Sequence, residues 1–183
     1  KPVRDIASVA SFFLSRIDVL VDQLLQHRVL PSAAGKGQQL PETLYGKIGV
    51  ANAKLAYQSF LRLFHGPAWE ALHAKGARVQ RPLWASTSTK NPHYKDVMYV
   101  DPLIGEHTVT TLPEETITAF ADHGTVVAST VTADVAEAQR LIHAALPAVG
   151  INFDNVVWQL QNEGVQKFIE PFDNLLRALK NKA

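Results

Sequence analysis

The sequence contains no cysteine, and this absence excludes several kinds of chemistry. Disulfide scaffolds, thiolate metal sites and cysteine nucleophiles all require a thiol. No apolar run approaches the roughly 18 residues that a membrane helix needs, and no secretory signal pattern is visible. The net charge of +1 gives no reason to expect nucleic acid or a membrane as a partner. We therefore expect a protein of the cytoplasm.

Motifs for metal ions and nucleotides are also missing. The histidines form neither an HExxH nor an HxH pattern, so we expect surface or core residues rather than metal ligands at His27, His65, His73, His93, His107, His123 and His143. The chain has no glycine-rich loop of the P-loop or dinucleotide-binding type, which disfavours nucleotide binding.

The 183 residues are 46% apolar and 19% charged, as is typical of a globular domain with a sizeable core. Short apolar runs alternate with longer helical patterns, which predicts an α/β fold with a mostly parallel sheet. The chain starts at Lys1 rather than at methionine, and a strand-like run begins at about Ile6. We therefore expect a piece of a longer protein.

Apolar runs and spacing predict the individual elements. The predicted strands cover residues 6–14, 82–85, 97–100 and 126–131, and the first is expected to be buried on both faces. The predicted helices cover residues 17–27, 44–64, 68–74, 113–122 and 132–146, followed by an amphipathic C-terminal helix kinked at Pro171. Asp18 and Asp22 are expected on the polar face of the first helix, and Thr132 is expected to cap the fifth. Pro41 and Glu42 are expected to open the second helix, after a surface loop at residues 29–41.

Polar side chains follow three of the predicted strands, at residues 11–16, at residues 86–90 and at Asp101. Residues 86–90 combine four hydroxyls with the Lys90 ammonium, and both kinds of group donate hydrogen bonds to phosphate. Ligands of α/β folds bind at the carboxyl ends of the strands. Arg16 and residues 86–90 are thus candidates to hold a sugar phosphate. The alternatives are a solvated Ser/Thr-rich turn, a surface charge at Arg16 and a turn residue at Asp101.

Six segments, in order along the chain, carry a family resemblance. They are VASFFLSRID (9–18), GVANAKLAYQSF (49–60), WASTSTKNP (84–92), YVDPLIG (99–105), TLPEETITAFADHG (111–124) and NEGVQKFIEPFDNLL (162–176). Together they resemble transaldolase, and most of all the bacterial branch that includes fusions to glucose-6-phosphate isomerase. The resemblance covers nearly the whole chain except residues 31–39.

The resemblance implies a (β/α)8 TIM barrel of the class I aldolase type. Residues 1–183 would form a single domain, the C-terminal part of that barrel from about the sixth strand onward. A complete barrel needs roughly 250 residues, which this chain lacks.

The resemblance also implies an activity. Family members are transferases of the pentose phosphate pathway that move a dihydroxyacetone unit between sugar phosphates, through a lysine Schiff base and without a cofactor or metal. The implied substrates are fructose 6-phosphate, sedoheptulose 7-phosphate, erythrose 4-phosphate and glyceraldehyde 3-phosphate. The family's Schiff-base lysine and acid/base carboxylates lie on earlier strands, so we expect them upstream of Lys1. This chain would contain no catalytic residue and would be inactive alone.

Matching positions supply the candidate substrate-binding residues, which are Ser11, Phe13, Arg16, Ser86, Ser88 and Lys90. The resemblance implies that Arg16 and Ser86 bind phosphate, that Ser11 binds a substrate hydroxyl and that Phe13 is an active-site aromatic. The family's second phosphate-binding arginine falls at Ser88. This departure leaves Ser88, Thr89 or Lys90 for the second phosphate contact.

Two other functions stay open on the sequence alone. Lys90 lies at a strand end and could be the Schiff-base lysine of a smaller aldolase or lyase. Alternatively, the chain is not catalytic: a partial barrel leaves sheet edges and an apolar face open, which favours self-association or pairing with the missing N-terminal half.

Overall fold

The structure is a computed structural model that describes residues 2–27 and 44–181. The predicted loop at residues 29–41 and the helix start at Pro41 and Glu42 lie outside the described residues.

A parallel sheet of three strands organises the described part of the chain. The strands are β1 (Ser8–Phe13), β2 (Gln80–Ala85) and β3 (Val109–Thr110), in the spatial order β1-β2-β3. The register of β1 on β2 runs from Ser8 opposite Gln80 to Phe13 opposite Ala85. Both strand pairs are parallel, which confirms the predicted α/β class with a parallel sheet. Their carboxyl ends consequently lie at one edge of the sheet.

Helices connect the strands and continue after them. They are α1 (Leu14–His27), α2 (Ile48–Leu63), α3 (Pro67–His73), α4 (Glu114–His123), α5 (Val135–Arg140), α6 (Leu146–Ala148) and α7 (Phe153–Lys180). A π-helical segment, Leu141–Ala145, joins α5 to α6. Short 3-10 turns lie at Val3–Asp5, Asp101–Leu103 and Thr130–Thr132.

Two predicted strands are wrong. Residues 97–100 form turns, in which the Val97 carbonyl accepts from the backbone N–H groups of Val100 (2.9 Å) and Asp101 (3.2 Å). Residues 126–131 end in a 3-10 turn, after Ser129 in the left-handed conformation with φ of 61°. Local hydrogen bonds thus replace a strand ladder at both places. The short strand β3 was not predicted.

The predicted cap at Thr132 is also wrong. The Thr132 hydroxyl donates to the Ser129 carbonyl at 2.7 Å, and α5 begins only at Val135. Asp134 precedes that helix with φ of 54°, in the left-handed region. In contrast, α7 continues past Pro171, and the kink expected there stays a prediction.

Two clusters of buried apolar side chains form the core. One packs α1 against α2, α5 and α7, around residues such as Leu25, Ile48 and Leu141. The other surrounds Trp84 of β2, whose indole N–H donates to the Leu103 carbonyl at 3.2 Å. Leu14, the first residue of α1, is fully buried in this second cluster, so the core supports the carboxyl ends of β1 and β2.

Two elements are far more exposed than expected. Strand β1 lies at the edge of the described sheet, and the prediction that it is buried on both faces is wrong, since Val9 and Phe13 are both exposed. Helix α7 buries Val156 alone. Its exposed large apolar residues are Val157, Trp158, Val165, Phe168, Ile169, Phe172, Leu175, Leu176 and Leu179. Within the described ranges, no helix is both long enough and apolar enough to cross a membrane.

Candidate phosphate-binding site

The carboxyl ends of β1 and β2 bring two serines into contact. Strand β1 passes into α1 without a loop, so Ser15 and Arg16 lie in the first turn of the helix. The Ser15 backbone N–H donates to the Ser86 carbonyl at 3.0 Å, and the two hydroxyl oxygens are 2.7 Å apart. Because Ser15 is only 1% exposed, the surrounding side chains hold its hydroxyl in this contact. Ser15 was not a predicted site residue, although its position between Ser11 and Arg16, at a predicted strand end, could have indicated a place in the site.

Ser86 has an unusual backbone conformation. Its φ of 54° lies in the left-handed region, which residues other than glycine adopt rarely. Such conformations are concentrated at functional sites, because the surrounding structure must hold them in place. The conformation turns the chain out of β2 and leaves Ser86 half-buried at the strand end.

Arg16 and Phe13 also come together. The Arg16 guanidinium carbon lies 4.4 Å from the centre of the Phe13 ring. An arginine stacked on an aromatic face gains a cation–π attraction, and its planar fork is held in one orientation. Phe13 is 42% exposed, so this pair faces the open side of the sheet edge.

A groove of about 560 Å³ opens at this edge, within the size range typical of small-molecule pockets. One wall comes from the strand ends and α1, and the other from the middle of α7. Its lining residues with a hydroxyl or a charged group are Ser15, Arg16, Ser86, Lys90, Glu163 and Lys167. Three cations and one carboxylate give the groove an excess of positive charge, which suits an anion such as phosphate.

The residues of the hydroxyl-rich loop after β2 have different surroundings. Lys90 lines the groove, and its ammonium donates to the Ser88 hydroxyl. Ser88 is not among the residues that line the groove. Thr87 is buried, and its hydroxyl donates to the Thr111 carbonyl at 2.6 Å. Thr87 therefore holds the loop to the residue that follows β3 rather than facing a ligand.

Ser11 lines a neighbouring cavity of about 520 Å³ rather than the groove itself. This second cavity is mostly apolar and shares Arg16, Leu160 and Gly164 with the groove. Phe13 lines it as well. The structure thus brings Ser11 and Phe13 beside Arg16, on the side away from Lys90.

Two buried carboxylates hold α1 in place behind the site. Asp18 accepts from the Gly49 N–H at 2.8 Å and from the Tyr99 hydroxyl at 2.7 Å. One turn later, Asp22 accepts from the Gly46 N–H at 3.1 Å and from the Tyr94 hydroxyl at 2.7 Å. The prediction that these residues occupy an outer polar face is wrong, because the start of α2 and residues 94–99 cover that face.

Burial dominates the ionisation of this cluster. It raises the pKa of Asp18 to about 6, although hydrogen bonds from Gly49 and Tyr99 act in the opposite direction. The pKa of Asp22 is also raised by burial. Tyr94 and Tyr99 have raised pKa values because they are desolvated and lie next to the carboxylates, so both stay protonated donors.

Other candidate groups lie apart from the groove. The Asp101 carboxylate accepts from the Thr125 backbone N–H at 3.1 Å, as a turn residue does. Lys54 is buried on α2, where burial lowers its pKa and its ammonium donates to the Ala133 carbonyl at 2.8 Å. In the part of the chain that the structure describes, no group of three or more His, Cys, Asp or Glu residues could hold a metal ion.

Comparison with known proteins connects this geometry to a family. A family model described as "Transaldolase/Fructose-6-phosphate aldolase" matches residues 3–179. The chain belongs to the transaldolase/fructose-6-phosphate aldolase family. This finding confirms the resemblance drawn from the six sequence segments.

Curated family members cover the chain almost completely. It is 47% identical over its full length to "Transaldolase 2" of Nostoc sp. and 48% identical over 97% of its length to "Transaldolase" of Trichodesmium erythraeum. A "Transaldolase" of Mycolicibacterium paratuberculosis is 46% identical over 97% of the chain. The aligned region is 48%, 47% and 45% of those proteins, so the chain spans about half the length of these relatives.

Proposed function

We propose that this chain supplies the phosphate-binding part of a transaldolase site. The observation that carries the proposal is the groove where Ser15, Arg16, Ser86 and Lys90 meet at the strand ends. Arginine and serine donors at the carboxyl ends of parallel strands suit a sugar phosphate. Transaldolases that are 46–48% identical over nearly the whole chain support that substrate class.

Each predicted residue has a role in this proposal. Arg16 binds the phosphate as a fork held by Phe13, Ser86 donates its hydroxyl, and Lys90 adds the second cation. Ser88 acts through its hydrogen bond with Lys90. Ser11 takes a substrate hydroxyl in the neighbouring cavity, next to Arg16.

We further propose that residues 1–183 are the C-terminal part of a TIM barrel. Parallel strands are normally buried on both faces and paired on both edges, whereas β1 has an exposed face and an edge unpaired among the described residues. A preceding strand of the barrel would cover that edge. Preceding elements would also supply the Schiff-base lysine and the acid/base carboxylates.

The proposed reaction moves a three-carbon unit without a cofactor. The lysine amine condenses with the ketone of fructose 6-phosphate and releases water. Loss of the C4 hydroxyl proton to a carboxylate breaks the C3–C4 bond and releases glyceraldehyde 3-phosphate. The remaining enamine adds to erythrose 4-phosphate, and hydrolysis gives sedoheptulose 7-phosphate. Arg16, Ser86 and Lys90 anchor the phosphate end, which fixes the reacting carbons relative to the lysine.

Lys90 is a phosphate ligand in this proposal rather than the Schiff-base lysine. Schiff-base lysines are activated by desolvation in apolar pockets or by a neighbouring cation. Lys90 is exposed at the groove, next to a serine hydroxyl. This environment favours binding an anion over nucleophilic attack.

Borohydride trapping tests the proposed division of labour. With saturating fructose 6-phosphate, borohydride should label the full-length protein but not the 183-residue chain, and the full-length Lys90→Ala variant should still be labelled at saturation. Labelling of the isolated chain would contradict an upstream lysine. In the full-length protein, Arg16→Ala should raise the KM for fructose 6-phosphate at least about tenfold, the loss expected for a charged hydrogen bond. Arg177→Ala, an exposed arginine on α7, is the matched control.

The exposed apolar side of α7 supports a second proposal, that the isolated chain pairs with itself. Contiguous apolar patches on a protein surface commonly mark contact sites. The mass of the isolated chain in dilute solution, measured by light scattering, should exceed that of a monomer. A monomer at all concentrations would overturn self-pairing and leave the preceding half of the barrel as the proposed cover. A cytoplasmic location stays a prediction.

A further inference from the structure

We propose that Lys167 of α7 is a third cationic ligand for the substrate phosphate. The inference rests on the proposed function and adds a residue that the sequence analysis did not select. It also gives α7 a role in the site, as the wall of the groove opposite the strand ends.

The position of Lys167 carries the proposal. Gln159, Leu160, Glu163, Gly164 and Lys167 all line the groove. Their spacing of three and four residues puts them on one side of the helix. The groove therefore lies between this side of α7 and the carboxyl ends of β1 and β2, where Arg16 and Ser86 lie. An anion bound there meets basic side chains from α1, from the loop after β2 and from α7.

Glu163 is the one carboxylate among the lining residues, and two neighbours reduce its effect. The Gln159 side-chain amide donates to Glu163 Oε1 at 2.8 Å, and Lys167 Nζ lies 3.8 Å from Glu163 Oε2. The latter distance exceeds that of a hydrogen bond. The Lys167 ammonium can therefore turn to a phosphate oxygen without breaking a direct hydrogen bond to Glu163. The charge of Glu163 opposes phosphate binding, and the neighbouring Lys167 ammonium partly offsets it.

Gly164 is a second observation that points to a ligand beside α7. Glycine in the middle of a helix is destabilising relative to alanine, and nothing in the packing here requires it. A Cβ built on Gly164 would meet no atom within 4 Å, and the residue lines both the groove and the neighbouring cavity. The missing side chain leaves clearance beside Arg16, where a sugar phosphate would pass from one cavity to the other.

Titration with inorganic phosphate, followed by NMR on the 183-residue chain, tests the proposal. Lys167→Gln should weaken phosphate binding by about two- to fivefold, the range for an exposed charge pair. Lys180→Gln is the matched control, because Lys180 lies 13 positions further along the same helix, roughly 20 Å away. Glu163→Gln should strengthen binding by about twofold, since it removes the opposing charge.

The outcomes separate this inference from the proposed function. If Arg16→Ala abolishes phosphate binding and Lys167→Gln leaves it unchanged, the role of Lys167 is refuted and the proposed function stands. If Arg16→Ala has no effect, the proposed function itself fails. Equal weakening by Lys167→Gln and Lys180→Gln would indicate a general charge effect and would also overturn the inference. Lys167 is 66% exposed in its side chain, so the far-UV circular dichroism of Lys167→Gln should match that of the original protein.

Discussion

Helices α1 and α7 are both amphipathic, yet the rest of the described protein covers only α1. In its 14 residues, α1 buries five apolar side chains and two carboxylates, whereas α7 buries only Val156 in 28 residues. Two polar residues of α1 are also enclosed, since Asp18 and Asp22 accept hydrogen bonds from residues 46–49 and 94–99. The apolar side of α7 remains exposed along most of its length.

The different burial of α1 and α7 shows how much an amphipathic pattern can predict. Spacing predicts that a segment is a helix and which of its sides is apolar. It does not predict whether another element covers that side. In α1 the covering elements are in the described chain, while in α7 we propose that they come from the remainder of a barrel or from a second copy.

The largest expected contrast comes from the same substitution in both helices. Leu25→Ala in α1 should lower the free energy of unfolding by about 3 kcal/mol, because it leaves a cavity in the core. In the unpaired chain, Leu175→Ala in α7 should change it by less than about 0.5 kcal/mol, because that side chain is exposed. Urea denaturation measures both losses, at protein concentrations low enough that light scattering detects no self-pairing. Equal losses under those conditions would contradict the contrast between the two helices.

The buried carboxylate of α1 predicts an unusual dependence of stability on pH. Burial raises the pKa of Asp18 to about 6, above its ordinary value of 3.8. Between those values the folded state keeps a proton that the unfolded state has lost, so stability falls as pH rises. The fall should total up to about 3 kcal/mol and level off on either side of this window.

Asp18→Asn replaces the titrating carboxyl group with a neutral amide, so the variant lacks this pH-dependent contribution to stability. The variant should therefore be more destabilised, relative to the original protein, at pH 4 than at pH 7. Asp22 contributes in the same direction in both proteins, because burial raises its pKa too. Asn174→Ala, which removes no titratable group from an exposed position on α7, is the control and should leave the pH dependence unchanged. A constant difference between the Asp18 variant and the original protein would contradict the raised pKa.

Two helical glycines give a smaller but opposite pair of effects. Gly49→Ala in α2 should destabilise by about 2 kcal/mol, because its Cβ would lie 2.7 Å from the Leu14 carbonyl oxygen and 2.8 Å from Asp18 Oδ2. Gly164→Ala in α7 should stabilise by about 0.5–1 kcal/mol, since its Cβ meets nothing. Thermal unfolding measures both. A destabilising effect of Gly164→Ala would indicate that another part of the chain packs at this position.

Much of the fold was predictable because local patterns decide it. The runs around β1, β2 and α4 are either short and apolar or amphipathic, and the structure has those elements close to the predicted bounds. Residues 97–100 and 126–131 were misassigned because they are apolar enough for strands, while local turns bond their backbone groups. The Val100 N–H donates to the Val97 carbonyl, and the Ser129 carbonyl accepts from the Thr132 N–H. Burial of Asp18 was not predictable from α1 itself, since it depends on Gly49 and Tyr99, which are distant in sequence.

The candidate site was predictable in part for the same reason. Arg16, Ser86 and Lys90 follow strands, and the parallel register brings them to one groove. The contribution of α7 was not visible, because nothing in the spacing of Glu163, Gly164 and Lys167 indicates that they face the strand ends. The hydrogen bond that turns Thr87 away also depends on β3, which was not predicted.

Phosphate titration of the 183-residue chain and its Arg16→Ala variant tests whether the groove at the strand ends binds phosphate. The account predicts saturable binding of inorganic phosphate, with NMR shifts at Ser15, Ser86 and Lys90, and loss of that binding in Arg16→Ala but not in Arg177→Ala. Binding that survives Arg16→Ala, or shifts at other residues only, would contradict a phosphate site at the carboxyl ends of β1 and β2.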